Sequence, residues 1–365
     1  MMRRGILVLL FLALVAGVWA SSPNDISSDI ASEESPTKQF NPTEFIFEHI
    51  GDSYEWHILT VNHHHISIPL PIILYSSNSG LNIFLSNKFH NPNGVYKGFK
   101  IESEGKYKGK IVELAENGVI NELNPLPLNF SLTKNVVSII FICTILCLVF
   151  VSIANRYKKT PNSAPTGIQN LFEPIILFVR DEIAKPSIGE KKYLRYMPFL
   201  LTAFFFIWFT NMLGLIPIFP GGANVTGNIA VTMILALFTF IIVNTSANKH
   251  YWQEIVNAPG VPWFLKFPIP IMPVVEFTGL FTKPIVLMIR LFANILAGHM
   301  VGIVFVSLIF IFGAIKIWLG FVAAPVSLVF SVFMLCLELL VALIQAYVFT
   351  LLSAIYIGMA TSEHH

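Results

Sequence analysis

Residues 274–312 read VVEFTGLFTKPIVLMIRLFANILAGHMVGIVFVSLIFIF, and residues 320–359 read GFVAAPVSLVFSVFMLCLELLVALIQAYVFTLLSAIYIGM. Each apolar run is much longer than the roughly 20 residues that a perpendicular membrane span requires. Both must tilt steeply or bend. Steep tilt is set by packing against neighbours, so a helical hairpin of this length predicts a large protein partner on one side. The turn between the runs, residues 314–318, carries a single charge, Lys316.

Outward from this hairpin the chain is apolar throughout its second half. Hydrophobic residues make up 55% of 365 positions and charged residues 12%, too apolar a balance for a soluble domain. Charges crowd the region from Asp25 to Arg195 and are isolated beyond Met197. Further spans are predicted at Val136–Ile153, Pro198–Leu215 and Ile229–Val243. Between the first two, residues 167–183 place Ile168, Leu171, Phe172, Ile175, Ile176 and Val179 at helical spacing, as in an amphipathic helix lying on the membrane surface. The basic residues Arg156, Lys158, Lys159, Lys191, Lys192, Arg195 and Lys249 flank the same ends of these spans. The excess of Lys and Arg on cytoplasmic flanks places the region before Val136 outside and the C-terminus in the cytoplasm.

The fold expected is an all-α polytopic membrane protein of about five membrane helices with a long, tilted C-terminal hairpin, plus a small β-rich N-terminal external domain. Residues 1–20 read as a secretory signal: Arg3 and Arg4, an apolar run from Ile6 to Val18, and cleavage after Ala20, with an uncleaved signal anchor as the alternative. Residues 21–132 form the external part, with β-like runs at His57–Val61, Ile66–Tyr75 and Lys110–Leu114, and residues 133–365 the membrane domain. The His63–His65 cluster matches no metal-ligand spacing and reads as a solvated loop or strand end. The net charge is +2, and no basic run interleaved with aromatics suggests nucleic acid. Cys143, Cys147 and Cys336 all lie in apolar stretches, which fits small buried hydrophobes rather than a disulfide framework.

Ionisable groups near a bilayer centre cost at least about 2.5 kcal/mol and are functional candidates by default. The hairpin holds Glu276, Lys283, Arg290, His299 and Glu338. Arg290 keeps its proton, so in a dry site it is a fixed positive charge, poor as a relay and suited to a gate. Asn294 follows one turn later, near the same face. His299 comes nine residues after Arg290, on the opposite face and about 13 Å along the axis. Glu338 and Gln345 share a face of the last helix, so Glu338 is placed to join His299 while Gln345 approaches Arg290. Glu276 lies on the Arg290 side, about 21 Å away. This geometry offers one polar route on each side of Arg290. The structural alternatives are an Arg290–Glu338 ion pair, a snorkelling arginine and an interfacial glutamate.

The run Lys283 to His299, KPIVLMIRLFANILAGH, closely resembles the signature of subunit a of rotary F-type ATP synthases. Further matches are Asn211 to Pro217 (NMLGLIP), Thr226 to Ala230 (TGNIA), and Glu338 with Gln345 followed by Ala346 to Phe349 (AYVF). The resemblance covers Val136 to the C-terminus. It implies that Arg290 faces a rotor ring of c subunits and separates two half-channels, with Asn294 and Gln345 as its polar neighbours. By the same resemblance His299 and Glu338 are the outer half-channel pair, and Glu276 is an acid on the inner side. Many bacterial members carry Glu where His299 stands and His where Glu338 stands, and some carry an acid at the place of Gly214. The implied partners are the c ring, the peripheral stalk b subunits, other F0F1 subunits and the bilayer of a bacterial inner membrane. The resemblance implies no cofactor, and the chain is not itself an enzyme: no GxxxxGK[ST] phosphate loop occurs in it. His299 favours protons as the ion. A self-contained secondary transporter is the alternative, although no internal repeat supports it. A membrane metallohydrolase lacks any HExxH spacing.

Overall fold

The computed structural model describes residues 51–61, 64–91, 94–102, 107–115, 120, 126–159, 164–216, 221–256 and 271–362; the expected signal segment and His63 lie outside them. The described residues form two compact units, one over Ser53–Lys134 and one from Asn135 onward together with Gly51 and Asp52.

The first unit is built of short antiparallel strands. β1 (Glu55–Val61) pairs with β2 (His64–Pro69) as a hairpin. The apolar run expected as one strand over 66–75 is divided, because Pro69 ends β2 and Pro71 opens β3 (Pro71–Ser76). Proline has no N–H to donate, so it is tolerated at strand ends and not within a ladder. β3 is the centre of a sheet ordered β4-β3-β8, with β4 at Gly80–Leu85 and β8 at Leu128–Asn129. Gly80 takes a positive φ of 67° where the chain turns back into β4, a conformation that glycine adopts without steric cost. A second sheet joins β5 (Val95–Tyr96), β6 (Phe99–Ile101) and β7 (Ile111–Glu113). Ile72, Leu74 and Phe84, on one face of the first sheet, pack with Phe89, Phe99 and Ile111. Glu113 is buried here, and its carboxylate accepts hydrogen bonds from Ser76 Oγ (2.7 Å) and Asn78 Nδ2 (3.4 Å).

The second unit is helical. α1 (Lys134–Lys159) is followed by α2 (Ile168–Phe178), a π-helical turn over Val179–Ala184, and α3 (Lys185–Ile188). The amphipathic segment therefore runs beyond 183 and is not α-helical throughout. Its wide turn buries Val179, Ile183 and Ala184 while leaving Asp181 outside, bonded to Arg180 (2.8 Å) and Lys185 (2.7 Å). Next come α4 (Tyr193–Gly214), α5 (Ile229–Ser246), α6 (Lys249–Val256), α7 (Ile271–Ile315) and α8 (Ile317–Thr361). Five of these, α1, α4, α5, α7 and α8, are long and apolar enough to cross a membrane. With 45 residues each, α7 and α8 are about 68 Å long, twice the roughly 30 Å of a hydrocarbon core.

Aromatic side chains fill the space between α1, α2 and α4: Phe150 lies 5.0 Å from Phe205 and 6.1 Å from Phe172, ring to ring. Where α8 enters the bundle the packing is by small residues. Ala342, Ala346, Ser353, Ala354, Gly358 and Ala360 are buried, as close helix approach in a membrane requires. A methyl group on Gly358 would overlap the backbone carbonyl of Ser187. The last turn of α8 is capped from outside. Lys192 Nζ (2.8 Å) and Asn248 Nδ2 (3.0 Å) donate to the Thr361 carbonyl, and Asn248 N–H donates to that of Ala360 (2.9 Å). These are the carbonyls that a helix end leaves without intrahelical partners. The start of α4, the end of α5 and the end of α8 thus meet at one end of the unit.

Candidate functional site

α7 and α8 form an antiparallel pair joined by Lys316. Near the turn Gly313 and Gly320 face each other so closely that a Cβ on Gly320 would lie 3.0 Å from Gly313 Cα. Successive facing pairs continue down the hairpin: Phe305 and Phe330, stacked at 5.3 Å; His299 and Glu338, 3.6 Å apart; Asn294 and Gln345, 2.8 Å; and Lys283 with Tyr356, 5.8 Å to the ring centre. Each of the three polar steps in this ladder contains a residue that the sequence marks as an isolated polar or charged group in lipid.

Asn294 Nδ2 donates to Gln345 Oε1, which fixes the amide of a buried Gln345. Asn294 itself is exposed, and so is Arg290 one turn earlier. They lie on a stripe with Val286, Ile289, Ala293 and Ala297, all exposed, the i, i+3, i+4 pattern of a single helix face. Among the described residues Arg290 forms no salt bridge; Glu338 is paired with His299 instead. The Arg290–Glu338 alternative is thereby removed. The guanidinium stands on the outer surface of the hairpin, free to meet a carboxylate presented from outside the chain.

His299 Nδ1 and Glu338 Oε2 are both half-buried and 3.6 Å apart, beyond a direct hydrogen bond and within ion-pair range when the imidazole is protonated. Two glycines of α7 lie beside the carboxylate, and Gly298 is the tighter of the two. A Cβ at Gly298 would lie 3.0 Å from Glu338 Oε1, and one at Gly302 would lie 3.8 Å away. The carboxylate therefore rests against a notch in α7 at Gly298. Among the described residues Glu338 Oε1 has no hydrogen-bond partner; water is the partner that such an atom requires.

Sequence reasoning left several polar neighbours without a role. A Cβ at Gly214, at the end of α4, would stand 3.8 Å from His299 Nε2 and 3.1 Å from the Ala223 carbonyl. One turn before it, buried Asn211 accepts a short hydrogen bond from Thr226 Oγ1. Asn224 is buried beside them and accepts from Gly227 N–H (3.0 Å). Among the described residues the Nδ2 groups of Asn211 and Asn224 have no hydrogen-bond partner. The signal was present in the uncharged segment 211–228, where Asn, Thr and Gly recur between apolar residues, but nothing local tied it to His299.

Glu276 is not gathered into this group. It sits in the first turns of α7, half-buried, and its charge reaches Tyr251 of α6. Burial pushes the Tyr251 hydroxyl above its ordinary pKa, and the nearby Glu276 carboxylate adds to that rise. Tyr251 also lines a small cavity with Asn244, Lys283, Pro284 and Tyr356. The sequence-selected residues thus fall into a central pair beside Arg290, a second pair toward the turn, and a separate acid near α6.

Comparison with known proteins bears on this arrangement. The family model of the ATP synthase A chain matches residues 136–358. The chain belongs to the ATP synthase A chain family. The match spans the helical unit and all six candidate residues. A protein of Chloroherpeton thalassium named ATP synthase subunit a is 46% identical over 244 residues, covering 64% of this chain and 68% of its own length. Those of Chlorobium phaeobacteroides and Myxococcus xanthus, with the same name, are each 42% identical, covering 65% of this chain and 67% and 75% of themselves. As a member of the ATP synthase A chain family it is a multi-pass membrane protein and a non-catalytic subunit. The β-rich unit lies outside that match; residues 45–130 match a separate family described as a domain of unknown function, DUF8433.

Proposed function

We propose that this chain is the ion-carrying stator subunit of a bacterial F-type ATP synthase, and that it conducts protons between the two membrane faces and a rotor ring of c subunits. The observation that carries the reading is the exposed Arg290 guanidinium, one turn from the Asn294–Gln345 hydrogen bond, on the outward stripe of a hairpin too long for a simple span. A permanent cation there holds a ring carboxylate in its ionised form as it passes, and repels a proton crossing directly between the two routes. The outer route is formed by Asn211, Asn224, Thr226, His299 and Glu338; the unpaired Asn211 Nδ2, Asn224 Nδ2 and Glu338 Oε1 suit a water-filled path. Glu276, with Tyr251 and Lys283, serves the inner route. Histidine and glutamate exchange protons readily once their surroundings shift them.

On this reading the end of the unit where Lys192, Asn248 and Thr361 meet is cytoplasmic, because that end carries the basic clusters. The β-rich unit is periplasmic and residues 1–20 direct its export. The peripheral stalk b subunits and the remaining F0F1 subunits complete the assembly.

ATP-driven acidification of membrane vesicles tests the assignment, with assembly and passive proton leak recorded in parallel. Arg290→Ala is expected to abolish pumping while the complex still assembles. Undiminished coupled pumping by that variant would overturn the gate role.

A further inference from the structure

The β4-β3-β8 sheet carries large apolar side chains on both faces. One face carries Ile72, Leu74 and Phe84 into the core of the unit. The other carries Pro71, Ile73 and Tyr75 from β3, Leu85, Ile83 and Leu81 directly opposite them on β4, and Leu128 opposite Tyr75 on β8. Phe130 continues that edge, its N–H bonded to the Ile73 carbonyl at 2.9 Å. None of these positions is charged. Leu81, Ile83, Leu128 and Phe130 are each at least 60% exposed, with Tyr75 and Leu85 nearly half exposed. An antiparallel sheet facing water alternates apolar inside with polar outside, and a soluble surface seldom shows a contiguous apolar patch larger than a few hundred Å². This face breaks the alternation rule.

We propose that this sheet face docks on the bilayer, at the boundary of headgroups and acyl chains, beside the point where α1 begins. Two observations select lipid as the occupant. The first is the tether. The strand that carries Leu128 and Phe130 stays bonded to β3 as far as Leu132, whose N–H meets the Pro71 carbonyl at 3.1 Å. Two residues later α1, a membrane span, begins at Lys134. A chain reaches at most about 3.6 Å per residue, so Phe130 stays within roughly 15 Å of the first span residue and the bilayer surface is always in range. Linkage this short gives a high effective concentration. The second is the chemistry of the face: uncharged, with a tyrosine among aliphatic and aromatic residues, as in surfaces that lie in the membrane interface. Lipid asks for no matching hydrogen-bond partners, and the face offers no charged group to a protein partner.

The full chain tests this in single-cysteine form, with Cys143, Cys147 and Cys336 replaced by alanine and a polarity-sensitive fluorophore placed at Ile83→Cys or, as control, Lys108→Cys, an exposed position outside this sheet. The protein is reconstituted in phosphatidylcholine vesicles, with or without lipid bearing a shallow acyl-chain nitroxide. At Ile83 the expected result is blue-shifted emission, several-fold stronger quenching by the nitroxide lipid than at Lys108, and several-fold weaker quenching by aqueous iodide. With the probe moved to Leu128→Cys, Leu81→Asp together with Ile83→Asp is expected to abolish the nitroxide quenching. These two side chains point away from the unit's core, so the fold is retained. Equal iodide quenching at Ile83 and Lys108 would overturn the proposal. Shielding of Ile83 from both quenchers would also overturn it, because a protein segment would then cover the face.

Discussion

The two halves of α8 are packed by opposite rules. From Ala342 to Thr361 the buried positions are mostly Ala, Ser, Thr and Gly, set against α3, α4 and α5. From Ile317 to Val341 large side chains such as Phe321, Val329 and Phe333 stand exposed. In a bilayer, lipid tails solvate a leucine as well as another helix does, so helices join where small residues let backbones approach. The first half is therefore a clamp and the second an apolar surface left for lipid or a partner. Gln345 lies within the clamp and Glu338 just beyond its edge. The two polar pairs of the site thus stand on either side of this boundary.

The sharpest way to break the comparison is to change side-chain volume on each side of it. Gly358→Ala forces a methyl group into the Ser187 carbonyl and is expected to cost about 3 kcal/mol, the upper range for overpacking. Val329→Ala, on the exposed half, is expected to stay within about 0.5 kcal/mol. Denaturant titration of the reconstituted protein reads both, and equal losses would show that the two halves are not packed differently. At the boundary, Glu338→Gln keeps shape and removes the titratable group, so ATP-driven pumping is expected to fall on the order of tenfold or more with assembly intact. Unchanged pumping would remove Glu338 from the proton path.

The glycine notch sharpens the boundary further. Gly298→Ala places a methyl group 3.0 Å from Glu338 Oε1 and is expected to lower pumping a few-fold, whereas Gly302→Ala, at an ordinary contact distance of 3.8 Å, is expected to leave it nearly unchanged. Equal effects would mean that the notch does not position the carboxylate. The smallest effect belongs to the outside of the clamp. Arg180 and then Lys185 hold the Asp181 carboxyl well below its usual range of about 3.8. A depressed carboxyl contributes stability above its unfolded pKa and loses it as the pH falls through the folded one. Asp181→Asn is therefore expected to speed hydrogen exchange in Val179–Ala184 slightly at neutral pH, and this difference is expected to shrink as the pH drops below 3.8. A difference that grew in acid would reverse the assignment.

The spans were legible because a bilayer imposes length and hydropathy on each segment separately. The expected runs 136–153, 198–215, 229–243, 274–312 and 320–359 all lie within or within a residue of observed helices. Arg290, His299 and Glu338 were legible for the same reason: a charge in such a run stands out alone. What stayed hidden depends on pairs distant in sequence. Gly298 and Gly302 gain meaning only when Glu338 is opposite them, Gly214 only when His299 adjoins it, and Lys192 and Asn248 only when Thr361 arrives between them. No periodicity announces such meetings. The π-turn at Val179–Ala184 was hidden differently, since its residues keep a nearly helical spacing. In the β-rich unit β8 is two residues long, too short to leave a pattern, yet it completes the sheet.

The caps on the last turn of α8 also have a mechanical meaning. A rod fixed at one end is a cantilever, and its stiffness depends on the length left free. Here the fixed part runs from Thr361 back to Ala342, and the free arm, Ile317–Val341, is about 37 Å long at 1.5 Å per residue. Gln345, hydrogen-bonded to Asn294, lies inside the fixed part, and Glu338 lies only about 6 Å out along the arm. The largest displacement is thus left to the far tip near Lys316, while the polar pairs sit where the rod moves least. Lysine and asparagine side chains that touch neither pair thus help to anchor the end of the rod from which those pairs are held.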